Sequence, residues 1–169
     1  MLGEDGLYAL LEERGIAYDV YEHEAVFDVA AARALDIPHD DGTVACKNLF
    51  LRDDKKRAYF LVTAPDDMRV DLRVLQGRLG SRRLSFASAA DLASMLGLIP
   101  GAVTPFGLLN DTGHRVTFVL DESLATGRID AHPMVNTATV QLASRDLVAL
   151  LREAGVQVRL LAVGEVPEP

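Results

Sequence analysis

Two strand-like segments separated by a short charged run constrain the fold of this chain more than any other feature. TVACKNLFLRD ends in the run DDKK, RAYFLVTA follows it, and both segments are rich in β-branched and aromatic residues. This pattern predicts a β-hairpin over residues 43–64. Any fold assigned to the chain must therefore include an antiparallel pair of strands formed by residues 43–64.

Helices and further strands are mixed along the rest of the chain without strict alternation. Predicted helices cover residues 7–14, 27–38 (capped by Asp28), 71–79 (Asp71), 88–96 (Ser88) and 144–155 (Ser144). Predicted strands cover residues 17–22, 115–123, 128–133, 137–143 and 156–164. Residues 99–113, rich in Gly and Pro, are predicted to form a loop with no regular element, and the final EVPEP is expected to fray. The order favours a mixed α+β sheet over a doubly wound parallel one.

Composition predicts one cytoplasmic globular domain over residues 1–169. Hydrophobic residues make up 49% and charged residues 25% of 169 residues, and no repeat or linker divides them. The sequence has no apolar run of about 18 residues and no secretory signal, which predicts a soluble protein with no membrane partner. A single cysteine, Cys46, excludes an intramolecular disulfide and fits a reducing compartment.

The charge of the chain is unevenly distributed. The net charge of −8 argues against a nucleic-acid partner, yet residues 47–83 carry a net charge of +5 and the rest carries −13. Such asymmetry suggests one basic face on an acidic body. A solvated, salt-laced surface is the alternative interpretation.

Several common chemistries lack their motifs in this sequence. There is no Walker A loop, no G-x-G-x-x-G turn and no G-x-S-x-G elbow. The four histidines do not pair at metal-ligand spacing, and one cysteine makes a structural zinc site an unfavourable hypothesis. Cys46 is interpreted as a buried, inert thiol rather than a nucleophile.

Three features remain as candidates for a site, each with an ordinary structural alternative. Lys47 interrupts an apolar strand, where lysine is depleted, although it can simply face water. The loop from Gly101 to Gly107 can present backbone amides to an anion, or it can be a plain connection. His132, before Pro133, follows a strand and can equally be a packed or surface histidine.

Together, these features resemble one known family. VACKNLFLRDDKKRAYFLV, RRLSFASAADLASMLGLIPGAVTPFGLLND and HPMVNTATVQL, in this order, resemble the YbaK/prolyl-tRNA synthetase editing-domain superfamily, and most of all its free-standing ProXp-ala (PrdX) branch. The resemblance covers nearly the whole chain. It implies a mixed, largely antiparallel, partly closed sheet flanked by helices. It also implies hydrolysis of mischarged Ala-tRNA(Pro) without a metal or cofactor.

The resemblance also implies site residues. Lys47 matches the active-site lysine of the family, Asn48 the asparagine that often follows, and Gly101 and Pro105 the G-x-x-x-P loop. His132 matches the histidine of the H-P motif, whereas Met134 departs from the Asn or Leu of some relatives and bears on the acyl pocket. Lys47, Gly101 and His132 are therefore the predicted catalytic residues, and the predicted substrate-binding residues are Asn48, Ala102, Val103, Thr104, Pro105, Phe106, Gly107 and Met134.

The implied mechanism divides the work among these groups. The loop amides hold the developing oxyanion, and Lys47 positions the terminal adenosine or acts as a base. Water attacks, oriented by the terminal ribose hydroxyl, while His132 shapes the pocket or accepts a proton. From charge alone, the predicted tRNA contacts are Lys55, Lys56, Arg57, Arg82 and Arg83.

The partner implied is the acceptor end of tRNA(Pro) carrying a wrong amino acid, with transient contact to prolyl-tRNA synthetase or an elongation factor. Two alternatives stay open: a deacylase for Cys-tRNA(Pro) or another small-side-chain error, and a non-catalytic tRNA-binding module of the same fold. An acidic ligand-binding domain without a nucleic-acid partner is the interpretation that ignores the resemblance.

Overall fold

Within the part of the chain that the structure describes, five α-helices and eight strands alternate irregularly. The structure, a computed structural model, describes residues 1–39 and 41–165. The helices are α1 (Glu4–Glu13), α2 (Val29–Arg33), α3 (Leu72–Leu79), α4 (Ala89–Leu96) and α5 (Ser144–Glu153). The strands are β1 (Tyr18–Glu22), β2 (Cys46–Asp53), β3 (Tyr59–Pro65), β4 (Leu84–Phe86), β5 (Val116–Asp121), β6 (Arg128–Ala131), β7 (Ala138–Ala143) and β8 (Val158–Leu161).

Side-chain caps begin three of the helices where the sequence predicts them. The side chains of Asp28, Asp71 and Ser88 accept hydrogen bonds from amides in the first turns of α2, α3 and α4. The predicted cap at Ser144 is wrong. Ser144 is the first residue of α5, and its hydroxyl donates to the carbonyl oxygen of Gly127 instead.

The predicted hairpin is confirmed and lies inside the larger of two sheets. This sheet has the strand order β4-β2-β3-β5-β8, in which β2 pairs antiparallel with β3 and β4, while β3-β5 and β5-β8 are parallel. The register places Lys47 opposite Ala64 and Asn48 opposite Thr63. The short strand β4 was not predicted, because three residues show no readable alternation.

A smaller antiparallel sheet, β1-β7-β6, closes part of the structure. Val44 forms a bridge to Ile129 of β6 just before β2 begins, and this bridge connects the two sheets. The predicted fold class, a mixed and largely antiparallel, partly closed sheet flanked by helices, is confirmed.

The larger sheet is covered on both faces. Phe50, Leu61 and Phe118 belong to a buried cluster with apolar residues of α1, α4 and α5, whereas Leu51 and Val62 are buried with Leu75 and Leu79 of α3. The start of β2 lies at the edge of this packing, where the chain before it crosses to the smaller sheet. Within the described ranges, no helix is both long and apolar enough to cross a membrane.

Residues 99–113 are more ordered than predicted. A 3₁₀ helix covers Pro105–Asn110, and the Thr104 hydroxyl accepts a hydrogen bond from the Phe106 amide to cap it. Proline at the first helical position is compatible with such a cap, because its missing N–H has no partner to lose. The predicted fraying of EVPEP falls mainly on residues 166–169, outside the described residues.

Candidate active site

A cavity with two adjoining lobes opens where β2 begins. The first, called the lysine lobe, has a volume of about 240 Å³ and is bordered by Phe27, Lys47, Gly101 and Val103. The second, called the aspartate lobe, has a volume of about 220 Å³ and is bordered by Arg33, His39, Asp66 and Asp130. The two lobes share the residues Val29, Ala32, Cys46, Asn48 and His132.

Lys47 is half-buried at the wall of the lysine lobe. Its Nζ donates a hydrogen bond to the carbonyl oxygen of Met68, which follows β3. An ammonium group has three donors, so two remain for a ligand after this bond. Lys47 therefore does not simply face water, because its ammonium group is held by the Met68 carbonyl at the edge of a cavity.

Asn48 is held by its cross-strand neighbour. The buried Thr63 hydroxyl donates a hydrogen bond of 2.5 Å to Asn48 Oδ1. Among the described residues, the side-chain nitrogen Nδ2 of Asn48 has no hydrogen-bond partner. Since Asn48 borders both lobes, its N–H groups are available to a ligand at their junction.

His132 stands at the same junction in a defined tautomer. Its Nδ1 lies 2.9 Å from the carbonyl oxygen of Ala138, which can only accept, so Nδ1 carries the proton and Nε2 keeps its lone pair. Burial lowers the pKa of His132, with a smaller contribution from the neighbouring His23 ring, whose centroid is 6.1 Å away. A neutral imidazole with a free acceptor nitrogen therefore lies beside both lobes at neutral pH.

Of the predicted glycine-rich loop, only Gly101 and Val103 border the cavity. Ala102, Thr104, Phe106 and Gly107 are buried in the core with Pro105. The amides of Ala102 and Gly107 bond to the carbonyls of Ile99 and Thr104. These residues support the loop and do not line the two lobes, and their direct contact with substrate stays a prediction.

The backbone amides of Gly101 and Val103 belong to the loop residues that border the lysine lobe. Neither has a hydrogen-bond partner among residues 1–39 and 41–165. Gly101 has a φ of +88°, a region that favours glycine, and a Cβ at this position would lie 3.3 Å from Phe27 Cα and from the carbonyl oxygen of Val26. The close approach that this glycine permits is thus to the chain's own segment 26–27.

Met134 does not line either lobe. It is buried in the core and has a positive φ of 70°, within the turn between β6 and β7. Its side chain packs into the apolar core, and its contact with the acyl group stays a prediction.

The aspartate lobe contains groups that the sequence analysis did not select. Asp130 Oδ2 is 3.0 Å from His39 Nε2, and Asp130 Oδ1 accepts a hydrogen bond from the Cys46 amide. Burial raises the pKa of Asp130 and raises that of the Cys46 thiol well above its usual value, which agrees with an inert Cys46. Strand alternation was an available signal, since Asp130 and His132 are two residues apart and share a face.

The five predicted tRNA-binding residues lie away from this cavity. Lys55, Lys56 and Arg57 occupy the exposed turn between β2 and β3, and Arg83 is exposed just before β4. Arg82 is also exposed, but its guanidinium pairs with Asp54, with a shortest N–O distance of 2.6 Å. Six residues of β2 separate the turn from Lys47, a distance of about 20 Å at the usual rise of an extended strand.

Comparisons with known proteins agree with the motifs. The family model described as the aminoacyl-tRNA editing domain matches residues 23–150, which include Lys47, Gly101 and His132. The chain belongs to the aminoacyl-tRNA editing domain family. This result confirms the family indicated by the sequence motifs.

Individual members of the family resemble the chain over most of its length. A prolyl-tRNA editing protein, ProX, from Acetoanaerobium sticklandii is 41% identical over 92% of this chain and 94% of its own length. The multifunctional Ser/Thr-tRNA deacylase ProXp-y of Escherichia coli K12 is 27% identical over 88% of this chain and 92% of its own.

A solved structure shows the same fold. A crystal structure of a protein suggested to be a trans-editing enzyme for prolyl tRNA synthetase superimposes with a TM-score of 0.67 at 21% identity, and the match covers 98% of this chain and 99% of the other. At this identity the likeness concerns the fold alone.

Proposed function

We propose that this chain is a trans-editing deacylase that hydrolyses mischarged Ala-tRNA(Pro). The observation that carries the proposal is the convergence of Lys47, Gly101 and His132, from three distant parts of the sequence, on one two-lobed cavity. Membership of the editing-domain family and the names of relatives support the general activity, hydrolysis of an aminoacyl-tRNA ester. Alanine and tRNA(Pro) are the finer part of the proposal.

The cavity offers each group that ester hydrolysis requires. The ester carbonyl is placed near Gly101 and Val103, whose unpartnered amides donate to the oxygen as it gains negative charge. The Lys47 ammonium, held by Met68, adds a fixed positive charge close to this oxyanion.

The remaining steps concern water and its proton. Water adds to the carbonyl carbon, the bond to the ribose oxygen breaks, and that oxygen takes up a proton as the free amino acid leaves. The neutral Nε2 of His132 can accept a hydrogen bond from the attacking water, and Asn48 can donate to the substrate at the junction of the lobes.

Editing is needed because a synthetase site built for proline rejects alanine weakly. Missing methylene groups are worth only about 1–3 kcal/mol in discrimination. The aspartate lobe, at about 220 Å³, exceeds the space of a single water, about 30 Å³, several times over. Volume alone therefore does not select alanine, and the groups that line this lobe must contribute to the choice.

A second candidate substrate follows from the polar wall of the same lobe. Asp130 and Thr139 can hydrogen-bond a small polar side chain such as serine or cysteine, whereas both ring nitrogens of His39 are already bonded, to the Ile37 carbonyl and to Asp130. The relative named as a Ser/Thr-tRNA deacylase makes serine a specific competitor to test.

Deacylation of Ala-, Cys-, Ser- and Pro-tRNA(Pro) by wild-type protein and by Lys47→Ala tests the proposal. We expect rapid loss of alanine, with Lys47→Ala slower by about 100-fold or more, the scale of removing one oxyanion-stabilising group. Lys55→Ala is the control, because it removes the same charge from the exposed turn. Faster loss of cysteine or serine would replace alanine as the substrate. Tight binding without cleavage of any ester would establish a non-catalytic module instead.

A further inference from the structure

An exposed aromatic ring stands at the rim of the lysine lobe. Phe27 is 71% exposed, although it borders the same lobe as Lys47 and Gly101. Aromatic side chains usually contribute to stability through burial, so a large exposed ring at the rim of a cavity that also holds a lysine is a candidate for ligand contact.

The backbone that carries this ring is fixed from one side by Asn136. The Val26 amide donates to the carbonyl oxygen of Asn136 over 3.2 Å, and Asn136 Nδ2 donates to the carbonyl oxygen of Val26 over 2.9 Å. This reciprocal pair holds the peptide immediately before Phe27 against the turn between β6 and β7.

Two other interactions fix the opposite side. Asp28 accepts a hydrogen bond of 2.7 Å from the Ala31 amide and so begins α2 directly after Phe27. At Gly101, a Cβ would lie 3.2 Å from Phe27 Cδ1, which shows how closely the ring edge rests on the glycine backbone. The ring is therefore presented to solvent by an ordered backbone.

An aromatic face beside a fixed cation matches the chemistry of a nucleotide. A nucleobase stacks on an aromatic ring whatever its identity, and the neighbouring ribose and phosphate are attracted to an ammonium group. Phe27 and Lys47 border the same lobe and offer both features together.

We propose that the Phe27 ring is the stacking platform for the terminal base of the aminoacyl-tRNA, and that it binds the acceptor end at the rim of the lysine lobe. The inference rests on the proposed function and adds to it the residue that binds the base. Phe27 acts by positioning the substrate and takes no part in proton transfer.

The kinetic test compares Phe27→Ala, Phe27→Trp and Phe86→Ala with the wild type. Phe86 is the matched control, a phenylalanine that is 61% exposed on β4 and borders neither lobe. Phe27→Ala is expected to raise KM for the mischarged tRNA by about 10-fold with kcat little changed, because losing the stack removes binding shared by ground and transition states. Phe27→Trp should keep the wild-type KM.

A binding test does not depend on catalysis. The chain has no tryptophan, so Phe27→Trp introduces a single indole at the proposed platform. A short RNA ending in CCA should quench its fluorescence saturably, and removal of the terminal adenosine should abolish the quenching. Phe86→Trp should show no saturable quenching.

The outcomes separate this inference from the proposed function. If the wild type cleaves no ester but Phe27→Trp is quenched by CCA-ended RNA, the deacylase proposal fails and the platform stands. If the wild type is active while Phe27→Ala has an unchanged KM, or loses only kcat, the platform is wrong. Quenching that is equal without the terminal adenosine also overturns it.

Discussion

The two ends of the β2–β3 hairpin differ in how they use polar groups. At the Lys47 end, the polar groups of the site are held by protein partners: Lys47 by Met68, and Asn48 by Thr63. At the turn, Lys55, Lys56 and Arg57 are exposed and lie about 20 Å away along the strand. The Lys47 end holds hydrogen-bond donors in fixed positions around a cavity, whereas the turn exposes positive charge to solvent.

High charge density and the site of the chemistry therefore lie at different ends of the hairpin. A long-range field from exposed basic residues attracts an anionic polymer and weakens as salt rises. Oxyanion stabilisation instead needs donors that are already in place before the reaction begins. We therefore expect changes at the cavity end to lower kcat, and changes at the turn to raise KM in a salt-dependent manner.

After Lys47→Ala, the largest loss of kcat is expected for Gly101→Ala, with Gly127→Ala as its control. Both glycines have a φ of +88°, so alanine strains either backbone by about 1–2 kcal/mol. Only at Gly101 does the new Cβ meet close neighbours, at 3.2–3.3 Å, whereas at Gly127 nothing lies within 4 Å. Both variants should lose similar stability in urea unfolding, but only Gly101→Ala should lose kcat, by about 10- to 100-fold.

This pair separates strain from positioning. If Gly127→Ala loses as much kcat as Gly101→Ala, general destabilisation explains both results. If Gly101→Ala keeps the wild-type kcat, the amides of Gly101 and Val103 do not hold the oxyanion.

A smaller effect is expected for His132→Gln, together with a change in pH dependence. Because burial lowers the pKa of His132, the imidazole is neutral above pH 6.5, and kcat/KM of the wild type should be flat from about pH 7 to 8. Acidification through the lowered pKa should protonate Nε2 and reduce the rate. Glutamine lacks a basic ring nitrogen, so we expect the variant to be about 10-fold slower. Because glutamine does not titrate in this range, the fall in rate on acidification (the acid limb) should be absent in the variant.

Stability provides a second readout for the same histidine. The unfolded chain binds the proton more readily than the folded one, so folding stability should fall as pH drops below about 6.5. The free energy of unfolding of His132→Gln should depend less on pH in this range. An unchanged acid limb in the variant would assign that limb to another group.

Local patterns were sufficient to predict most elements of the fold. The hairpin, the caps at Asp28, Asp71 and Ser88, and the strands around His132 follow from side-chain periodicity and capping chemistry within short windows. The 3₁₀ helix at Pro105–Asn110 was missed, because glycine and proline indicate a loop unless the packing of the surrounding core is known. The absent cap at Ser144 likewise depends on a tertiary partner, the carbonyl of Gly127.

The candidate site was predictable only in part. The sequence motifs single out Lys47, Asn48, Gly101 and His132, which the structure brings to one cavity. The motifs do not show which loop residues face a ligand, since Phe106 and Gly107 belong to the same motif yet lie in the core. Phe27 and His39 reach the cavity through contacts between distant segments, which no local pattern records.

The smallest effect is expected at the basic turn, where Lys55, Lys56 and Arg57 are changed together to alanine. For every phosphate that the variant no longer neutralises, the slope of log Kd against log salt should fall by about 0.7–0.9. The triple variant should therefore bind tRNA several-fold more weakly at low salt, approach the wild type at high salt, and keep kcat. Filter binding over a salt series and single-turnover deacylation measure the two quantities.

The matched control for the turn is the double variant Asp54→Ala/Arg82→Ala. It removes an exposed ion pair without changing net charge, so its salt slope should equal that of the wild type. A triple variant with the wild-type slope would exclude the turn from the tRNA interface and leave Arg82 and Arg83 as the remaining predicted contacts. A loss of kcat in the triple variant would instead contradict the separation of the two ends, because it would place the turn in contact with the reacting ester.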